Sequence, residues 1–499
     1  MDKYVLAMDQ GTTSSKALVI DRNGEIMGRA SHEFRQIYPR PGWVEHDPME
    51  IWETQKRACR DAIEDASVRA TDIEAIGITN QRETTVVWER ETGKPITNAI
   101  VWQCRRTSEL CEKLIRENKA DVIRKKTGLV VDAYFSATKL QWVLQEVPSA
   151  MERAAKGELC FGTVDSWLVF NLTGGRTHAT DTSNASRTML FNINSGKWDD
   201  EIMDWLGIPG VVLPEVKESS GSYGQTLPEI FGAEITISGI AGDQQAALFG
   251  QGCFQRGDVK NTYGTGCFVL ANVGEEPLWS PKLVTSVGWT IKNRTSYVLE
   301  GSVFVAGAAV QWLRDSLGII NQSREVEALA RTVEDSGGIY FLPAFVGLGA
   351  PYWDMYARGI MVGITRGTNP GHIARATLDA IAHQSADVIE AMLDYSGTKL
   401  SRLRVDGGAA ENDLLMQLQA DALGAEVVRP KDLQTTALGA AYLAGLATGY
   451  WKDQEELPCI RQETRLFTPR ITDGQRQEER TRWRKLVEIA RTWGDGQRA

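Results

Sequence analysis

Two Gly-Thr turns, set about 250 residues apart, constrain this chain more than any other feature. The first lies in Met8-Asp9-Gln10-Gly11-Thr12-Thr13-Ser14-Ser15-Lys16, between the apolar runs Tyr4 to Met8 and Ala17 to Ile20. The second lies in Tyr263-Gly264-Thr265-Gly266-Cys267, between Asp258 to Thr262 and Phe268 to Ala271. Short β-forming runs bounded by Gly and hydroxyl residues read as hairpins. Each half also carries a later strand that enters a Gly/Asp turn and then a helix. One is Ile235 to Ile240 with Ala241-Gly242-Asp243-Gln244-Gln245; the other is Leu403 to Asp406 with Gly407-Gly408 and a helix through Leu423. Such repetition predicts an internal duplication with a cleft between two α/β halves. A chain of 499 residues is in any case too long for one core.

The first hairpin suggests chemistry. An Asp at a strand end, a Gly, hydroxyls and Lys16 can offer backbone N–H groups, side-chain donors and a cation to a phosphate chain. Asp9 repels phosphate directly and suits it only with Mg²⁺ between them. An ordinary surface turn uses the same residues, so the hairpin alone fits either reading. Asp243 is placed where a strand gives way to a helix, the edge at which open α/β sheets bind ligands. An Asp there also serves as a helix cap.

Between these stretches, Gly24 to Ala30 reads as a third strand, and Asp47-Pro48 as the N-cap and first residue of a helix. The strand Ile73 to Thr79 runs into Asn80-Gln81-Arg82-Glu83-Thr84-Thr85, followed by the strand Val86 to Trp88. Arg82 offers a donor fork and Glu83 two acceptors, a pairing suited to a small polyol. Trp102-Gln103-Cys104-Arg105-Arg106 closes the strand Ala99 to Val101, and Tyr134-Phe135-Ser136 precedes a helix. An aromatic in such a loop packs in the core or covers the C–H face of a ligand. Phe304 to Leu317 reads as an apolar helix with Gly307 and Gln311 on one face, able to admit a flat ring and bond its edge. Asn369-Pro370 starts a long helix from Gly371 to Tyr395. Trp483, Leu486, Val487, Ala490 and Trp493 predict a terminal helix packed on the body.

Composition narrows the classes. A net charge of −10 argues against general affinity for nucleic acid or acidic membranes. No apolar run approaches the ~18 residues of a span, and Asp9 interrupts the only N-terminal run that a signal peptide would need. Seven cysteines without a CxxC and five histidines without ligand spacing predict a reduced, cytoplasmic protein with no structural metal. Cys104 and Cys111, seven apart, predict one buried helix face. Neither a GxGxxG after the first strand nor a GxxxxGK[ST] loop is present.

Together these residues resemble the FGGY carbohydrate kinases of the actin/hexokinase/Hsp70-like ATPase fold, over nearly the whole chain. Asp9 to Ser14 is similar to that fold's first phosphate motif, Gly242-Asp243 to the second, and Asp406-Gly407-Gly408 to the adenosine motif. Tyr134 to Glu146 and Gly359 to Asp379 resemble the two family signatures. The resemblance implies two duplicated actin-like (ribonuclease H-like) α/β domains, residues 1–250 and 251–499. It also implies ATP-dependent phosphorylation of glycerol with Mg²⁺, in a homo-oligomer (dimer or tetramer). By the resemblance Asp243 is the general base, and Asp9 with Asp243 serves Mg²⁺, in part through water. Arg82, Glu83, Tyr134, Asp243 and Gln244 hold glycerol, with Trp102 and Phe268 along its carbons. Thr12, Thr13, Ser14, Lys16, Thr265, Gly307, Gln311, Gly408 and Asn412 contact the nucleotide. The rivals are a kinase of another polyol or ketose on this fold, and an actin- or Hsp70-like ATPase. Lys16 stands where many members have Arg, and Ala133 and Ala137 where Pro and Gly are common. Some bacterial members are inhibited by fructose 1,6-bisphosphate at a Gly/Arg loop, and others are activated by phosphorylation of a nearby His. Here that stretch is Leu227 to Glu234, without Lys or Arg, and no His lies between His178 and His372. Both controls are expected to be absent.

Overall fold

The computed structural model describes residues 2–460 and 464–495. Its first large sheet runs, edge to edge, Ile26–Glu33, Ser14–Ile20, Tyr4–Gln10, Ile73–Asn80 and Thr236–Gly242. The first three are antiparallel neighbours, and the last two run parallel to Tyr4–Gln10. Val5, Leu6, Ala7 and Met8 are all buried, as expected of a strand covered on both faces. Helix Pro48–Asp65 covers part of this sheet, and Asp47 caps it by accepting from the Met49 N–H at 2.8 Å.

The second sheet repeats the order. Arg294–Val303, Cys267–Gly274, Val259–Tyr263, Arg402–Asp406 and Glu426–Pro430 follow one another, flanked by Val284–Ile291 and Thr464–Phe467. Again a hairpin comes first and the next inner strand is parallel to its first member. The duplication is thus one of topology.

The halves meet at two helices, Asp243–Gly250 and Thr435–Thr448. A Cβ at Gly250 would lie 2.0 Å from the Thr435 carbonyl oxygen, and one at Gly439 would lie 1.8 Å from that of Ala246. Only glycine permits this approach. Helix Thr435–Thr448 also lies on the first sheet, where a Gly77 Cβ would stand 2.1 Å from the Ala440 oxygen.

Several local expectations shift. The opening strands extend to Gln10 and back to Ser14 because Asp9 pairs with Lys16 and Gln10 with Ser15 across the hairpin. The third strand starts at Ile26 instead, since Gly24 turns with φ of 83°. The helix expected over Phe304 to Leu317 spans only Gly307–Asp315, because the Ala306 N–H is tied to the Thr265 carbonyl. Cys104 and Cys111 do not share a helix face: Cys111 lies on Ser108–Arg116, while Cys104 precedes it and accepts from Arg106 Nε at 3.0 Å. All seven cysteines are buried, and none is joined in a disulfide among the described residues. On the terminal helix Asp473–Asp495, Trp483, Leu486, Val487 and Ala490 pack inward. Trp493 is 70% exposed and does not pack as expected.

Candidate active site

Three strand ends of the first sheet and the second hairpin converge on the cleft. At the first, the turn closes with the Gly11 N–H on the Ser14 carbonyl at 2.9 Å. Thr12 accepts from Trp102 Nε1 at 2.9 Å, which leaves its hydroxyl hydrogen free to donate. Thr13 is exposed, and Thr12, Ser14 and Lys16 are half-buried. Among the described residues the Asp9 carboxylate has no hydrogen-bond or ion-pair partner. Enclosure by protein pushes its pKa up to about 6; Lys16 opposes the rise and Asp243 adds to it.

At the second strand end, Arg82 and Glu83 are buried and Glu83 holds φ of 61°, a conformation costly for a long side chain. The fork of Arg82 does not point at open cleft, as the polyol reading expected. Its Nη1 and Nη2 grip Glu300 at 2.6 and 3.0 Å, and Nη1 also donates to Gln245 Oε1 at 3.1 Å. Nε meets Asp243 Oδ1 at 3.0 Å. Glu83 is similarly committed, its Oε1 accepting from Arg187 Nε at 2.6 Å. Arg187 reaches Glu300 at 3.2 Å and lies over the ring of Tyr134 at 5.6 Å. Burial works to raise the Glu300 pKa, but the guanidinium groups of Arg187 and Arg82 overcome it and hold it at about 2. Glu300 sits on Arg294–Val303, so a carboxylate of the second sheet organises cations of the first half.

At the third, Gly242 N–H donates to Ser183 Oγ at 2.9 Å and helix Asp243–Gly250 begins. Asp243 is the first residue of that helix, whose N-cap is Gly242, and its Oδ1 accepts from the adjacent Gln244 N–H at 2.7 Å. That bond and Arg82 Nε both fall on Oδ1, so Oδ2 is the oxygen open to another partner. The Asp243 side chain keeps 32% exposure beside an Arg82 at 2%.

Aromatic walls complete this region. Trp102 and Tyr134 meet edge to face, 5.6 Å apart at 78°. Buried Lys139 ties the Tyr134 loop to the Glu83 loop, donating to the Tyr134 carbonyl at 2.5 Å and the Glu83 carbonyl at 3.5 Å. Phe268, half-buried, comes from the second hairpin.

The expected nucleotide residues of the second half are more spread. Thr265 is exposed on its hairpin, and the Ala306 and Ala308 N–H groups bond its carbonyl at 2.9 and 3.0 Å. Gly307 is needed for the backbone: its Cβ would stand 2.5 Å from the Gly264 oxygen, so the hairpin itself takes the space expected for a flat ring. Gln311 is exposed on the same helix. Gly408 has open space around it, whereas Gly407 (φ 84°) presses on Tyr263. Asn412 Oδ1 caps helix Asp413–Leu423 by accepting from the Leu415 N–H at 2.9 Å, leaving its side-chain NH₂ as the remaining polar group.

Sequence reasoning missed Glu300, Arg187 and Lys260. For Glu300 the available signal was a lone charge in an apolar strand, Tyr297-Val298-Leu299-Glu300-Gly301, since such charges are rarely buried unless paired.

Residues 4–250 match the N-terminal domain of the FGGY family of carbohydrate kinases, and residues 259–448 its C-terminal domain. The glycerol kinase of Symbiobacterium thermophilum is 60% identical, over 98% of this chain and 99% of its own. Glycerol kinase 2 of Thermotoga maritima is 58% identical, over 98% and 99%. Among solved structures, Plasmodium falciparum glycerol kinase with ADP superposes with a TM-score of 0.92 at 35% identity, covering 98% of each chain. Lactobacillus acidophilus gluconate kinase shares the fold, with a TM-score of 0.85 at 23% identity over 99% and 98%. The chain belongs to the FGGY family of carbohydrate kinases.

Proposed function

We propose that this chain transfers the γ-phosphoryl group of ATP to glycerol, giving sn-glycerol 3-phosphate. The observation that carries this is the Arg82–Asp243 pair at 3.0 Å beside the Trp102–Tyr134 wall. It sets a donor and a free carboxylate oxygen next to aromatic surface, a fit for a short carbon chain bearing hydroxyls. The glycerol kinases at 56–60% identity over nearly full length support the same acceptor.

In this reading Arg82, Tyr134, Gln244 and Asp243 bind glycerol, and Trp102 and Phe268 cover its carbons. Glu83 takes part through its place in the charged ring. Asp243 Oδ2 receives the proton of the attacking hydroxyl, an effect worth about 10²–10⁴-fold. Thr12, Thr13, Ser14 and Lys16 hold the phosphates; Thr265, Gly307, Gln311, Gly408 and Asn412 surround the nucleoside. The unpartnered Asp9 carboxylate facing Asp243 fits a hydrated cation better than a phosphate. Mg²⁺ held there, partly through water, would neutralise charge on the phosphates. Among the described residues no cluster of three or more His, Cys, Asp or Glu is arranged to hold a metal by protein alone. Placement and charge neutralisation then supply most of the rate, because phosphoryl transfer needs little covalent help from protein. Closure of the halves would keep water from the γ-phosphoryl group.

The domain boundary at 250/251, a homo-oligomeric state and cytoplasmic residence belong to the same proposal. Among the described residues no helix is long and apolar enough to cross a membrane. ADP release measured with glycerol, dihydroxyacetone, xylulose, gluconate and no acceptor tests the function. Glycerol should give the highest kcat/KM; equal release without acceptor would refute it.

A further inference from the structure

Lys260 sits on strand Val259–Tyr263 of the second sheet and is fully buried. Its Nζ donates to Gln244 Oε1 at 2.5 Å and to Thr262 Oγ1 at 2.7 Å. Gln244 belongs to the first half and follows Asp243 directly, so this bond links the two halves at the candidate site. Burying an ammonium in a protein is costly, and only well-placed acceptors offset it. Here burial lowers the proton affinity of Lys260, while the charges of Asp406, Asp243 and Glu300 oppose that.

The chemistry of the contact determines the Gln244 amide. An ammonium has only donors, so the amide oxygen must face it and the NH₂ must face away. Among the described residues that NH₂ has no protein partner. Thr262 is similarly arranged, its oxygen accepting from Lys260 and its hydrogen free to donate. Without Lys260 the amide would be free to rotate, and its carbonyl would repel an acceptor hydroxyl's lone pairs in half of its orientations.

We propose that Lys260 is a positioning residue that locks the Gln244 amide with its NH₂ toward the acceptor, so that the second sheet takes part in reading the substrate's hydroxyls. This rests on the function proposed above. Arg82 is held by Glu300 in the same way, which makes the acceptor pocket a product of both sheets.

The test compares kcat/KM for glycerol with that for propane-1,2-diol, which lacks one hydroxyl. The ratio does not depend on how much of a variant is folded. Lys260→Met and Gln244→Ala should each lower it about ten-fold, the loss expected for one charge-supported hydrogen bond. The double variant should lose no more than the worse single one, because both changes remove the same contact. KM for ATP should stay within about two-fold, and Lys260→Gln, which still donates to Gln244, should recover part of the ratio. An unchanged ratio in Gln244→Ala, or multiplying losses in the double variant, would overturn the proposal. Should Lys260→Met not be recoverable, Gln244→Ala and Lys260→Gln decide alone. If the unmodified protein fails to phosphorylate glycerol, the proposed function falls first and visibly.

Discussion

Replacing Arg82 with alanine removes a side chain that is 2% exposed and whose guanidinium touches Glu300, Gln245 and Asp243. Breaking a buried pair from one side costs about 3–5 kcal/mol, because a charge is left without its partner. Glu300 retains Arg187 at 3.2 Å, so the loss belongs at the lower end, about 3 kcal/mol. For a domain of this size each kcal/mol moves the melting temperature by about 2–4 °C, so the variant should melt roughly 6–12 °C lower. Glycerol recognition suffers separately: one lost charged donor at about 1.5–3 kcal/mol raises KM by roughly ten- to a hundred-fold. ATP affinity should hardly change, since the phosphate hairpin does not lean on Arg82. Thermal melting with and without glycerol, beside steady-state kinetics in both substrates, reads all three quantities. An unchanged melting temperature would refute the charged ring as a stabilising unit. Collapse of ATP affinity with glycerol use intact would refute the site assignment itself.

Asp243→Asn should nearly abolish turnover while glycerol still binds, because Asn keeps the size but cannot take the proton; near-normal turnover would reduce Asp243 to a helix cap. Buried His46 is lowered to about 4 by burial, so the unfolded chain takes up a proton below pH 6.5 that the folded one refuses. Its contribution is complete above pH 6.5 and lost as pH falls toward 4, by about 3 kcal/mol, and His46→Gln should lack that slope. Melting temperatures of the two proteins across pH 4–8 should therefore diverge only on the acid side; parallel curves would count against it. Fructose 1,6-bisphosphate at millimolar levels should not inhibit. The stretch Leu227 to Glu234 folds in part as the short helix Pro228–Phe231, and a nearby cation, Arg60, is spent on the Ile230 and Glu229 carbonyls. Saturable inhibition in the ADP-release assay would show a binding surface elsewhere.

What the chain's sequence determined by itself was everything written in short-range pattern. The two Gly-Thr hairpins, the strand–turn–helix junctions at Asp243 and Asp406 and the Asp47 cap depend on residues within about ten positions of one another. Turn chemistry and periodicity record such features directly. The repeat of those patterns was enough to announce two halves and a cleft, and the Trp102, Tyr134 and Asp243 loops could be named as parts of one site. Tertiary structure alone decided how the charges are used. Arg82 read as a fork for substrate, yet two of its five N–H donors go to Glu300, 218 residues away, and others to Gln245 and Asp243. Lys260 and Arg187 carried no local mark, because the partner of a buried charge is set by which strands the topology brings together. Gly307 likewise looked like room for a ligand until the hairpin backbone was found against it. The difference is physical: conformational preference is mainly a property of neighbours in sequence, whereas desolvated ion pairs are a property of neighbours in space.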